Sequence, residues 1–133
     1  MIKEIFELMR LFPDSFINYN NELILDRKEN IFFRLEGVET VEELKRKIIS
    51  WLSRTAAKGQ FKKTREKFRV NINSFFNKEW EEEDFKLVYT YLGNDCNGEL
   101  CKNFVKHDCD IKWLIAELKK TYGEIYNSKG EIL

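Results

Sequence analysis

The sequence predicts an α+β domain, mostly helical, with an N-terminal β-hairpin of two or three strands packed on four to five short helices. Three observations carry that prediction. Leu23-Ile24-Leu25 and Ile31-Phe32-Phe33 are β-prone runs on either side of a polar five-residue connector, a length that suits a hairpin built around a type I turn. Beyond residue 40, apolar side chains recur every three or four positions rather than every second one. Gly59, Gly93 and Gly123 fall where those periodic stretches stop. A chain of 133 residues with 43% hydrophobic content is sized for one domain, 1–133, with a core of its own.

The elements follow in chain order. Ile2, Ile5, Phe6 and Met9 lie at helical spacing, so residues 2–11 predict a short helix that Pro13, the only proline, brings to an end. Phe16, Ile17 and Tyr19 offer a third strand, since a lone hairpin is marginal in water. Thr40-Val41-Glu42-Glu43 reads as a capping box: the threonine hydroxyl accepts the amide three residues on, and Glu43 reaches back to the Thr40 amide. Val41, Leu44, Ile48, Trp51 and Leu52 then share one helical face. Gly59 separates this helix from one over residues 61–76, with Phe61, Phe68, Ile72, Phe75 and Phe76 on its inner stripe.

Four carboxylates, Glu81, Glu82, Glu83 and Asp84, precede Phe85, Val88, Tyr89 and Leu92 and suit the partial positive charge of a helix N-terminus. Gly93 is expected to end this helix in the left-handed conformation. A short helix over residues 99–106 follows, then one over 111–122 capped by Asp110 and stopped by Gly123. Residues 124–133 are expected to fray.

The charge is balanced in total and polarised along the chain. Lys plus Arg and Asp plus Glu both number 23. Residues 41–70 nevertheless hold 10 basic and 3 acidic side chains, whereas residues 71–100 hold 2 and 7. The balance excludes a uniformly basic coat. On the helical reading Lys58, Lys62, Arg65 and Arg69 fall on a common stripe, flanked by Arg54 and Lys63, and such a stripe can track phosphates. The plainer alternative is a solvated helix face whose charge the acidic run balances. The 11 Phe, 12 Ile and 11 Asn beside only three Ala suggest an AT-rich genome, so the aromatic load is not in itself a sign of base stacking.

No catalytic signature emerges, and the expectation is a protein that is not an enzyme and needs no cofactor. Cys96, Cys101, His107 and Cys109 form the one cluster that resembles metal ligands, but their gaps depart from the two tight pairs of a tetrahedral zinc site. Cys101, beside Leu100 and Phe104, reads as a small buried hydrophobe. Three cysteines do not make a disulfide framework, so free thiols are expected. His107, the single histidine, reads as a helix-terminal side chain. The carboxylates Glu79, Glu81, Glu82, Glu83 and Asp84 are explained by the helix dipole without a metal. The amino terminus lacks the unbroken apolar stretch of a signal peptide, and nothing approaches the ~20 apolar residues of a membrane span. The expected location is the cytoplasm.

Glu22-Leu23-Ile24-Leu25-Asp26, the capping-box segment from Gly37 to Leu44, Ile48-Ile49-Ser50-Trp51-Leu52-Ser53-Arg54 and Tyr89-Thr90-Tyr91-Leu92-Gly93-Asn94 resemble small phage and prophage proteins of low-GC Gram-positive bacteria. The likeness covers most of residues 19–105. It implies a bacterial cytoplasm during infection or lysogeny and carries no functional residues over; by analogy with other small phage accessory proteins, the expectation is one that binds and inhibits a host macromolecule. In its most specific form that is an anti-CRISPR inhibitor of an RNA-guided nuclease, a host protein whose basic channel would receive Glu79, Glu81, Glu82, Glu83 and Asp84. The alternative is a small DNA- or RNA-binding module that uses Arg54, Lys58, Lys62, Lys63, Arg65 and Arg69.

Overall fold

A computed structural model describes residues 2–28, 31–93 and 98–133. In chain order the elements are α1 (Lys3–Arg10), β1 (Phe16–Ile17), β2 (Glu22–Asp26), β3 (Ile31–Arg34), α2 (Val41–Lys58), α3 (Lys62–Phe76), α4 (Glu82–Leu92), α5 (Glu99–Lys106) and α6 (Ile111–Tyr122). The α+β, mostly helical class is as predicted, with a third strand present and six helices among the described residues.

The strands form one antiparallel sheet in the order β1-β2-β3. Phe16 pairs with Ile24 and Ile17 with Leu23, while Leu23 pairs with Phe33 and Ile24 with Phe32. Tyr19 lies outside the strand and is exposed, because the chain turns at Asn18, whose side-chain oxygen accepts the amides of Asn20 and Glu22, both at 3.0 Å. Glu29 and Asn30 of the expected connector lie outside the described residues.

Helix α2 is the centre of the fold and packs on α3, α4, α5 and β3. Leu44, Ile48, Trp51 and Leu52 are buried as their spacing predicts. So are Ile49, Ser53, Thr55 and Ala56, because a helix covered on several sides needs more than one apolar stripe. The two buried hydroxyls are satisfied along the helix: Ser53 donates to the Ile49 carbonyl at 2.6 Å and Thr55 to that of Trp51 at 2.8 Å. The α2 cap is half the expected box. Thr40 accepts the Glu43 amide at 3.2 Å, but the Glu43 carboxylate accepts from the Thr40 hydroxyl, at 3.1 Å, instead of from its amide. The full box sits on α4, where Glu81 and Asp84 cap each other's amides.

Phe33, Trp51 and Phe68 meet edge-on or tilted, with centroids 5.1–5.4 Å apart, and join β3, α2 and α3. Phe12 joins the cluster at 5.2 Å from Phe68. On α1 the buried pair is Ile5 and Leu8, and Phe6 points outward, 53% exposed. Gly93 takes φ +85° with an extended ψ, not the left-handed helical geometry.

The last ten residues fold back rather than fray. Ile125 is fully buried, Tyr126 bridges Ile132, and the Leu133 amide donates to the Ile125 carbonyl at 3.0 Å. Ile125-Tyr126 and Ile132-Leu133, two short apolar pairs five polar or glycine residues apart, give too little periodicity to reveal that return from sequence. No helix among the described residues is long and apolar enough to cross a membrane.

Candidate basic groove

The acidic and basic blocks meet inside the fold. Arg65 projects from α3 into the interior, 2% exposed, and its Nη2 donates to Glu82 Oε1 at 2.6 Å. The same guanidinium donates to the carbonyls of Thr55, at 3.1 Å, and Gln60. One turn on, Arg69 pairs with Glu66, donates to the Trp80 carbonyl at 2.6 Å and lies 3.7 Å from Glu81. Trp80 is buried with its indole N–H on the Cys109 carbonyl at 3.2 Å. Arg65 and Arg69 are therefore ties between α3 and the start of α4. The expected stripe is interrupted at those two positions, since four of the five Arg65 donors are taken in the interior and Arg69 is committed to Glu66 and the Trp80 carbonyl. Lys58, Lys62 and Lys63 remain exposed, with no ion pair among the described residues.

The acidic block is largely committed as well. Glu82 holds Arg65, Glu81 and Asp84 close the capping box, and Glu83 accepts from Ser128 at 2.6 Å and lies 3.7 Å from Lys86. Burial pushes the Asp84 carboxyl above its ordinary range, whereas the Ser128 hydrogen bond holds Glu83 below it. Only Glu79 is exposed without a partner among the described residues.

A groove between β3 and α2, with a cavity volume of about 860 Å³, gathers a different set of cations. Arg34 comes from the end of β3, and Arg46, Lys47 and Arg54 from α2. Arg46, Ser50 and Arg54 stand four residues apart on one helix face, so all three line the groove. None of the four cations makes an ion pair or hydrogen bond among the described residues, in contrast to Lys45, Arg65, Arg69 and Lys78, which all do. The Nε of Arg46 is shielded from solvent and unpartnered. Two carboxylates share the lining: Glu43, engaged by Thr40, and the exposed Glu36. Phe32 and Phe61 supply the partly exposed aromatic surface, above a buried Trp51.

Of these residues only Arg54 is among the site residues expected from sequence, where it flanks the stripe. Arg46 and Lys47 belong to the basic 45–69 segment, but helical spacing from Lys58 to Arg69 does not mark them as site residues, and Arg34 lies outside that segment altogether. The Arg46-Ser50-Arg54 repeat was the available signal.

The cysteine–histidine cluster separates. Cys101 is disulfide-bonded, which corrects the expectation of free thiols there, and Cys96 lies outside the described residues. Cys109 is free and buried, and desolvation pushes its thiol up to about 12, so it is held as an inert hydrophobe. His107 caps α5 and stacks on Trp113 at 4.2 Å between centroids. Among the described residues no group of three or more His, Cys, Asp or Glu is placed to hold a metal ion. Compared with protein-family models, curated proteins and solved structures, the chain matches none.

Proposed function

We propose that this chain is a non-enzymatic binding module whose β3–α2 groove takes the phosphate backbone of a nucleic acid. The observation that carries the reading is the set of four cations, Arg34, Arg46, Lys47 and Arg54, that line one concave surface without an ion pair among the described residues. Evenly balanced charge makes such a concentration informative, because a generally basic protein would show it everywhere. Three guanidiniums supply forked, planar donors that match phosphate oxygens. Lys58, Lys62 and Lys63 extend the positive field beyond the groove.

The setting we propose is an infected bacterium, where occupying a host nucleic acid would inhibit the machinery that uses it. The reading in which Glu79, Glu81, Glu82, Glu83 and Asp84 enter the basic channel of an RNA-guided nuclease has less support. Four of those five carboxylates already serve caps and internal pairs.

The test is a fluorescence-anisotropy titration with labelled DNA and RNA at about 50 and 200 mM salt. Three or four phosphate contacts predict a roughly 20- to 50-fold loss of affinity over that range. Absence of binding at the lower salt overturns the proposal.

A further inference from the structure

Building on the groove reading, we infer that the nucleic acid it takes is single-stranded, with Phe61 as a stacking platform for an unpaired base. Phe61 is the N-cap of α3 in the left-handed conformation, φ 53° and ψ 42°, which is unfavourable for an L-residue with a bulky side chain. Glycine or asparagine would serve the turn with less strain. The ring gains no full burial in exchange, since Phe61 stays 39% exposed while lining the groove beside the guanidinium-bearing wall. A strained backbone that holds an aromatic ring at the edge of a binding surface is the arrangement expected of a functional contact.

Arg65 maintains that arrangement as a positioning residue. It donates to the carbonyl of Gln60, immediately before Phe61, and to that of Thr55 on α2, and so ties the α2–α3 connector to the groove wall. Stacked bases in a duplex offer no face to such a ring, whereas a single strand presents one per nucleotide. Phe32, half-buried on β3, provides a second apolar surface in the same groove, and Arg34, Arg46, Lys47 and Arg54 lie where the backbone would run. Single strands also fit the modest number of cations, because the aromatic contacts supply affinity that charge alone would not.

The experiment compares a labelled oligo-dT 15-mer, an oligo-U 15-mer, a duplex of the same length and inorganic polyphosphate against the native chain and Phe61→Gly. The native chain is expected to bind both single strands at least tenfold more tightly than the duplex. Phe61→Gly removes the ring and the backbone strain together. It is expected to lose about tenfold on the single strands, to bind polyphosphate as before, and to melt no lower than the native chain. Equal binding of single strand and duplex, or single-strand binding unchanged in Phe61→Gly, overturns this inference while leaving the groove as a nucleic-acid site. No binding to any of the four ligands overturns the groove reading itself.

Discussion

Arg65 Nη2 donates to Glu82 Oε1 at 2.6 Å, and this pair joins the most basic and the most acidic stretches of the chain. The pair is asymmetric: the Arg65 side chain is 3% exposed and that of Glu82 34%. Removing the arginine leaves a carboxylate that water can reach, and takes one donor each from the Gln60 carbonyl and from the Thr55 carbonyl, which keeps the Gln60 amide at 2.9 Å. Removing the carboxylate leaves a guanidinium buried with its charge uncompensated. Arg65→Ala is expected to destabilise the fold by about 2–3 kcal/mol, and Glu82→Gln by about 1–2 kcal/mol. Urea denaturation measures both, and an Arg65→Ala protein as stable as the parent would refute the structural role.

Asp108 joins two distant elements, accepting from Lys45 of α2 and from Lys78, the latter at 2.5 Å. Those hydrogen bonds hold its carboxyl below the ordinary 3.8. A folded value below the unfolded one means the stabilisation is complete above the unfolded value and is lost as pH falls through the folded one. Glu66 and Glu83 shift the same way, while Asp84, raised by burial, opposes them and contributes most at low pH. Asp108→Asn keeps a residue that tolerates the φ of +57° found there. The variant should narrow the difference in melting temperature between pH 6 and pH 3. An unchanged difference would show that Asp108 does not contribute to acid unfolding.

Ile125 anchors the C-terminal return, fully buried two residues beyond the end of the last helix's glycine stop. Ile125→Ala is expected to cost about 2–5 kcal/mol, the range for truncating a buried isoleucine. A frayed tail would make the same change silent, so chemical denaturation distinguishes the two descriptions.

The elements legible in the sequence were those written in local signals. Asp110 and Gly123 bracket α6 at the residues observed, Thr40 caps α2, and the five-residue connector between two β-prone runs correctly implied the hairpin. Local signals cannot say which side chains meet across the fold. The phosphate stripe failed at Arg65 because helical spacing places that residue beside Phe68 and Ile72 on the inward face, where an arginine is admitted only if something else pairs with it. The groove escaped notice for the complementary reason. Arg34 and Arg46 are 12 positions apart in sequence and meet only when β3 packs on α2. Phe61 read as core by periodicity, yet its left-handed backbone leaves it at the groove's edge.

The central claim is that the β3–α2 groove, and not the exposed α3 surface, is the phosphate-binding face. The most direct measurement is the slope of log affinity against log salt for a 15-nucleotide single strand, with three proteins compared. They are the native chain, a variant with Arg34, Arg46, Lys47 and Arg54 changed to Gln, and one with Lys58, Lys62 and Lys63 changed to Gln. The account predicts a native slope of about −2 to −3, a slope near zero for the groove variant, and one close to native for the α3 variant. A groove variant that keeps the native slope while the α3 variant loses it would contradict the account.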